Sequence, residues 1–200
     1  MYLPMNNFKH TILLGKIPLL TSRWSVFDNY KKDIVDLCLK LEVPSTIESN
    51  VAVNAKANLW ESTFDFLEKH PSLQQLKLWL ILEATDLVNN FNNSNHRVVI
   101  TESWAHVTRA GGFHKPHYHN NSTWSGIFYI DAEPNKGGSN NWYLPYYLER
   151  KPGLEFADET FTVNCSPGNL VLFPSALLHD ADVYWGTQPR IVISFNSICL

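Results

Sequence analysis

The first half of the chain carries apolar residues at helical spacing. Within residues 24–41, one helical face collects side chains at intervals of three and four positions, namely Phe27, Ile34, Leu37, Cys38 and Leu41. Residues 60–68 and 72–90 show the same period, so the sequence predicts three helices. Ser25 and Ser72 are candidate N-caps for the first and third helices. Pro71 separates the second from the third, because proline disfavours helical geometry in the residue before it.

After an asparagine-rich run at residues 89–95, the pattern changes to short strands and turns. Segments rich in β-branched and aromatic residues predict strands at 97–108, 125–131, 161–164, 170–173 and 191–197, and two early strands are predicted at 11–14 and 17–20. Short strands at this spacing are typical of an antiparallel sandwich or barrel. We therefore expect an α+β fold: a double-stranded β-helix, or cupin-like jelly-roll, with N-terminal helices packed on one sheet.

Length and composition limit the class of protein. The 200 residues fit a single domain, which we divide into a mainly helical part with an early strand (1–95) and a jelly-roll core (96–200). The net charge of −3 gives no electrostatic footprint for nucleic acid, and the apolar runs are too short for a membrane span. No signal peptide is recognisable, and Cys38, Cys165 and Cys199 form no disulfide pattern. We therefore expect a cytoplasmic protein.

The number and clustering of the histidines are the features of the composition that remain to be explained. Of the 8 histidines, three stand within six positions, at His114, His117 and His119. In an extended segment, positions i and i+2 point the same way, so His117 and His119 can hold one ion between them. Neutral imidazole suits Fe, Zn, Cu and Ni. An isolated pair of this kind is equally compatible with ordinary loop histidines.

A second element strengthens the metal hypothesis. A Pro167-Gly168 turn and a short apolar strand lead to His179, which a neighbouring strand would deliver as a third ligand. Three ligands on one face of an ion leave positions open for substrates. Further on, Arg190 opens an apolar strand and shares a strand face with Ser194. An inward Arg190 needs a partner, and a carboxylate matches its guanidinium fork, whereas an outward one would sit in solvent or in an ordinary salt bridge.

Over residues 97–200 these elements together resemble the 2-oxoglutarate/Fe(II)-dependent oxygenase superfamily, in particular its bacterial and phage branch related to the prolyl hydroxylases. The order and spacing of the motifs carry the resemblance: Glu102-Ser103-Trp104-Ala105, His117-x-His119, Ser125-Gly126-Ile127-Phe128-Tyr129, Phe173-Pro174 before His179, and Arg190 before Ser194-Phe195-Asn196. The resemblance implies a jelly-roll that holds Fe(II) and uses 2-oxoglutarate as cosubstrate.

The resemblance also implies roles for individual residues. His117 would be the first metal ligand and His179 the distal one, while Arg190 would bind the far carboxylate of 2-oxoglutarate with help from Ser194. The superfamily has Asp or Glu where this chain has His119. With three neutral ligands, the dianionic cosubstrate alone would offset the charge of the metal. The alternatives to His119 are His106 and His114. Asp180 and Asp182 would orient a ligand imidazole or, as the simpler interpretation, face solvent.

The sequence leaves the substrate open. Four aromatic residues are candidates for a substrate pocket, although such side chains are more often barrel core: Trp104, Trp124, Tyr129 and Trp142. The leading prediction is a dioxygenase that hydroxylates a C–H bond of a small molecule or a protein side chain and converts 2-oxoglutarate to succinate. The alternatives are a cupin-type three-histidine metalloenzyme without 2-oxoglutarate and a non-catalytic jelly-roll binding module. The sequence does not fix the oligomeric state, although the resemblance to barrel enzymes that often pair through their helices makes a homodimer one expectation.

Overall fold

The computed structural model describes residues 10–14, 17–42, 58–143, 160–163 and 166–200. The strands in these ranges are β1 (His10–Leu14), β2 (Ile17–Arg23), β3 (Leu59–Glu61), β4 (Val98–Thr108), β5 (His114–His117), β6 (Trp124–Asp131), β7 (Asn140–Tyr143), β8 (Thr160–Val163), β9 (Asn169–Pro174), β10 (His179–Ala181) and β11 (Arg190–Cys199). The α-helices are α1 (Lys31–Leu41), α2 (Phe66–Lys69) and α3 (Gln74–Asn92). No helix in these ranges is long and apolar enough to cross a membrane.

The strands form two antiparallel sheets. A seven-stranded major sheet runs in the order β1-β2-β9-β6-β11-β4-β3, and a four-stranded minor sheet runs β5-β10-β7-β8. At the centre of both sheets, strands that are distant in sequence lie side by side, as in a double-stranded β-helix, whereas β1 and β2, β3 and β4, and β7 and β8 pair as sequence neighbours. The predicted fold class is confirmed, and β1, β2 and β3 extend the major sheet beyond the strands of the C-terminal half.

Alternation along the strands divides the core into two layers. On β6, Phe128 and Ile130 face the helices, whereas Ile127 and Tyr129 face the minor sheet. The larger layer packs α1 and α3 on the outer face of the major sheet. The smaller layer fills the interior between the sheets, where the Trp142 ring of β7 meets the Phe173 ring of β9 at a centroid distance of 5.4 Å. The helices therefore support the major sheet and leave the interior open at one end.

The helix boundaries differ from those predicted. The first helix begins as a 3-10 turn at Phe27–Asn29 and becomes α-helical only at α1, and the third begins as a 3-10 turn at Pro71–Leu73. Neither Ser25 nor Ser72 is an N-cap, since Tyr30 and Leu73 precede the α-helices, without a side-chain capping bond. The prediction of the second helix, over residues 60–68, is wrong for its first residues. They form β3, because the open edge of β4 pairs with them.

Close packing between β6 and β11 leads to one stability prediction. A Cβ added to Gly126 would lie 2.2 Å from Cζ of Phe195, which is buried in the core. We expect Gly126→Ala to lower the free energy of unfolding by about 1–3 kcal/mol through overpacking. Urea unfolding measures the loss. Introducing the same alanine into a Phe195→Leu background removes the clash, so the additional cost should be smaller there, and equal costs in the two backgrounds would contradict this explanation.

Candidate metal centre

Three histidines converge at the open end of the interior. His117 ends β5, His179 begins β10 directly opposite it, and His119 lies in the loop that follows β5. One ligand atom of each imidazole lies within 4.8 Å of the corresponding atoms of the other two. The rings of His117 and His179 have centroids 4.3 Å apart, and that of His119 is 5.1 Å from each. The three side chains thus surround one small volume.

Backbone carbonyls orient two of these imidazoles. Nδ1 of His117 is 2.8 Å from the carbonyl oxygen of Lys115, and Nδ1 of His179 is 2.9 Å from that of Leu177. A carbonyl oxygen only accepts hydrogen bonds, so Nδ1 carries the proton in both rings. The lone pair then resides on Nε2, which is the arrangement of a metal-binding histidine whose other nitrogen donates to the protein.

Burial keeps the imidazoles neutral. It lowers the pKa of His179 well below its usual value, and the neighbouring His117 adds to the effect. It also lowers the pKa of His117, and it lowers the pKa of His119 to about 4, again with a contribution from the other histidines. A neutral imidazole has a free lone pair and no charge that would repel a cation. The three-histidine set therefore fits a divalent metal ion at neutral pH.

His119 is held by contacts different from those of the other two ligands. Its backbone N–H donates to the carbonyl of Ser175 at 2.9 Å, and its ring packs against Trp104 at a centroid distance of 5.6 Å. Nδ2 of Asn196 lies 3.5 Å from its Nδ1, and the same amide donates to Glu102 at 2.9 Å. This polar support comes from β4 and β11, so the major sheet positions the third imidazole.

Arg190 approaches the same cavity from the major sheet. Its side chain is 3% exposed, and its Nη2 donates to Oδ1 of Asn140 at 2.8 Å. The hydroxyl of Tyr129 donates to that same oxygen, and the guanidinium carbon lies 5.9 Å from the centre of the Tyr129 ring. Ser194 is on the same face of β11, lines the cavity and is 7% exposed. A buried cation and a hydroxyl on one strand face form a site suited to a carboxylate.

A cavity of about 380 Å³ connects the histidines and Arg190. Of the four predicted pocket aromatics, only Trp104 is among its lining residues in the described part of the chain, joined there by Phe64, Phe113 and Tyr118. Trp124 lies in the helix-facing core instead, while Tyr129 and Trp142 belong to the layer between the sheets. Strand alternation separates these positions, and the sequence does not show which face of a strand will meet a cavity.

The two acids after His179 have polar partners other than the ligand imidazoles. Asp180 and Asp182 each accept a hydrogen bond of 2.8 Å from Nδ2 of Asn141, and Tyr143 also donates to Asp180. Asp180 is half-buried and Asp182 is exposed, and both line the cavity. The imidazoles of His117 and His179 are oriented by carbonyls instead, a role that carries no sequence signal because every residue has a carbonyl group.

Sequence reasoning missed several residues at this cavity. The contact of Asn140 with Arg190 was not predicted, because the four-residue strand β7 gives no sign of its pairing in the sequence. Glu61 was assigned to a helix, but it faces the cavity from β3 and forms a second group with the two alternative ligands, His106 and His114. His106 and His114 are thus placed together, beside the three-histidine site and separate from it. Only the pairing of β3 with β4 reveals the position of Glu61.

Comparisons with known proteins agree with the fold. Residues 102–196, which include all three histidines and Arg190, match the family described as "Putative 2OG-Fe(II) oxygenase". A search of curated proteins finds no match to the chain. Among solved structures, the Pseudomonas putida prolyl-4-hydroxylase aligns with a TM-score of 0.59 at 13% identity, over 88% of this chain and 91% of that chain.

Two further structures carry the cosubstrate in their descriptions. The viral collagen prolyl hydroxylase of Paramecium Bursaria Chlorella virus-1, a 2OG complex, aligns with a TM-score of 0.58 at 11% identity, over 93% of this chain and 98% of that chain. HygX from Streptomyces hygroscopicus, with nickel, 2-oxoglutarate and hygromycin B bound, aligns with a TM-score of 0.61 at 12% identity, over 90% of this chain and 82% of that chain. The family match and the shared fold confirm the resemblance of this chain to the 2-oxoglutarate/Fe(II)-dependent oxygenase superfamily, whose cofactors are Fe(II) and 2-oxoglutarate.

Proposed function

We propose that this protein is a dioxygenase that uses Fe(II) and 2-oxoglutarate to hydroxylate a C–H bond, with conversion of 2-oxoglutarate to succinate. One observation carries the proposal. Three neutral imidazoles, two half-buried and that of His179 buried, and a buried guanidinium on the major sheet face the same cavity. The first set suits a divalent metal, and the second suits the distant carboxylate of a keto diacid.

In this proposal, His117, His119 and His179 hold the metal through the nitrogens that face one another. Lys115 and Leu177 fix two of the rings through their carbonyls, so little reorganisation is needed when the metal binds. When bound, the iron and its cosubstrate supply the oxidising chemistry. The protein supplies position and a cavity partly closed to water. A metal held by only these three side chains would keep positions open for the other reactants.

Arg190 and Ser194 then bind the other end of 2-oxoglutarate. Asn140 holds the guanidinium of Arg190 in place, and Tyr129 in turn anchors Asn140. The hydroxyl of Ser194, which makes no hydrogen bond to the described part of the protein, is available as a donor to the same carboxylate. Because Arg190 is buried, its attraction for a carboxylate is screened less than it would be at the surface.

Replacement of the usual carboxylate ligand by His119 changes the charge of the site. The protein ligands contribute no negative charge, so the dianion of 2-oxoglutarate would be the ligand that neutralises the metal. Cosubstrate and metal are therefore expected to bind with strong mutual dependence. A cupin-type metalloenzyme that works without 2-oxoglutarate is the second candidate, because its ligands also include three histidines. The buried Arg190 favours the first candidate.

The remaining wall of the cavity would accept the substrate. Trp104 and the exposed rings of Phe64 and Tyr118 lie at its mouth, beside the carboxylates of Glu102 and Asp182. A mixed aromatic and polar mouth suits a small molecule or a protein side chain, each of which would enter from the open end. We further propose a single domain, a cytoplasmic location consistent with the free thiols of Cys38 and Cys199, and a homodimer as the assembly.

Cosubstrate turnover and binding test the proposal together. The protein incubated with Fe(II), oxygen and labelled 2-oxoglutarate should release labelled succinate. Because turnover without the substrate is slow in an enzyme that needs it bound, tryptophan fluorescence under anaerobic conditions supplies a second readout. It should report 2-oxoglutarate binding that requires a divalent metal. Metal binding with no response to 2-oxoglutarate would support the cupin-type candidate, and the absence of both would support a non-catalytic module.

A further inference from the structure

A second cluster of potential ligands lies in the same cavity, next to the three-histidine site. Glu61 of β3, His106 of β4 and His114 of β5 each offer one atom, and these atoms lie within 4.8 Å of one another. None of the three belongs to the site proposed for iron. We propose that Glu61, His106 and His114 form a second divalent-metal site.

The strand pairing brings two of these ligands together. Glu61 and His106 are directly opposite each other on β3 and β4, and Oε2 of Glu61 is 2.6 Å from Nε2 of His106. Both side chains are only 10% exposed. Burying a carboxylate is costly unless it is paired with a cation or with several hydrogen-bond donors. Within the described ranges, His106 is the one hydrogen-bonding partner of Glu61. A metal ion between the two side chains would satisfy the carboxylate more fully than one imidazole does.

The third ligand comes from the minor sheet. The ring of His114 lies 5.4 Å from that of His106, between centroids. Its Nδ1 is 3.4 Å from the carbonyl oxygen of Lys115, the same oxygen that accepts from Nδ1 of His117. The Nδ1 atoms of His114 and His117 are 3.1 Å apart, and in one of the tautomer arrangements both carry a proton directed at the Lys115 carbonyl. In that arrangement Nε2 of His114 keeps its lone pair, as does Nε2 of His117.

The donor set determines which ions fit. Two imidazoles and one carboxylate are the ligand set of non-haem Fe(II) sites, and Zn(II) and Co(II) accept the same donors. The Glu61 carboxylate gives this site a negative charge that the three-histidine site lacks. The sites are close neighbours, because the rings of His114 and His117 have centroids 4.2 Å apart. Two cations at this separation repel each other, so the second ion should bind more weakly than the first.

Titration of the metal-free full chain with Co(II) alone tests the proposal, with d–d absorption and equilibrium dialysis as readouts. The unmodified chain should bind two equivalents. Glu61→Gln keeps the size of the side chain but removes the anionic ligand. The variant should bind one equivalent of Co(II) as the unmodified chain does, and it should bind the other at least tenfold more weakly than the unmodified chain does. His106→Ala should give the same result. The matched control is Asp182→Asn, which changes an acid to an amide on the same cavity wall and should still bind two.

The His179→Ala variant separates this proposal from that of the oxygenase site. It should lose the equivalent bound by the three histidines and keep the equivalent bound near Glu61. A single equivalent in the unmodified chain, lost in His179→Ala, would overturn the second site and leave the oxygenase site intact. Two equivalents retained in Glu61→Gln and in His106→Ala would also overturn it. Circular dichroism of each variant excludes misfolding as the cause of a lost equivalent.

Discussion

A His179→Ala protein is expected to lose metal binding at the three-histidine site and, with it, metal-dependent binding of 2-oxoglutarate. His179 supplies a ligand from the most buried position of the three, and its Nδ1 is already fixed by the Leu177 carbonyl. Loss of residues that merely orient ligands weakens metal binding by about 10- to 100-fold, so removal of a ligand should cost at least about 100-fold. Anaerobic Fe(II) titration, followed by 2-oxoglutarate titration, measures both effects.

The control for this variant is His96→Ala, which removes an exposed imidazole between α3 and β4 that does not line the cavity. It should bind metal and 2-oxoglutarate as the unmodified protein does. Since the His179 ring also packs 4.6 Å from the ring of Phe173, between centroids, thermal unfolding of the variant shows whether the interior remains ordered. If a folded His179→Ala protein still bound 2-oxoglutarate in a metal-dependent way, the assignment of His179 as a ligand would be wrong.

Arg190→Met is expected to raise the Kd for 2-oxoglutarate by about 30-fold or more while metal binding stays near normal. Loss of one partner from a buried, hydrogen-bonded charge pair costs about 2–5 kcal/mol, and the lower value corresponds to that factor. Methionine fills much of the same volume without charge. Isothermal titration of the metal-loaded protein with 2-oxoglutarate measures the change, and metal titration of the same variant supplies the internal comparison.

Two related variants should show smaller losses of affinity for 2-oxoglutarate. Arg190→Lys keeps a positive charge but loses the planar fork, so its affinity for 2-oxoglutarate should lie between those of the parent and Arg190→Met. Ser194→Ala removes a single neutral donor and should weaken binding by only about 1 kcal/mol, or roughly fivefold. Equal affinity in the parent and in Arg190→Met would remove the main support for 2-oxoglutarate as the cosubstrate.

The general architecture could be predicted because strand patterns in the C-terminal half are long and regular. Predicted strands at 97–108, 125–131 and 191–197 correspond to β4, β6 and β11, which form the centre of the major sheet. The strands that were not predicted are short: β3 and β10 have three residues each, and β5 and β7 have four. A segment of that length has too few positions to show a period, and its pairing is decided by the neighbour whose edge is open.

The candidate site was predictable to the extent that it follows from local spacing. His117 and His119 are two positions apart, and the turn before β9 correctly suggested that His179 returns on a nearby strand. Glu61 could not be found in this way, since 45 residues separate it from its partner His106. Asn140 lies 50 residues from Arg190. Such contacts depend on which strands become neighbours, and that is decided by tertiary packing.

The two halves of the site lie on different sheets, and this has a consequence for the choice of cosubstrate. His117 and His179 belong to the minor sheet, His119 to the loop after β5, and Arg190 to the major sheet, so a molecule that contacts both groups must bridge the sandwich. The separation is set by the side chains between the sheets, such as Trp142 against Phe173. If the histidines hold the metal and Arg190 holds the far carboxylate, as proposed, a keto diacid one methylene shorter or longer than 2-oxoglutarate is expected to reach only one of the two. The distance between the two sheets would thereby select the length of the acid.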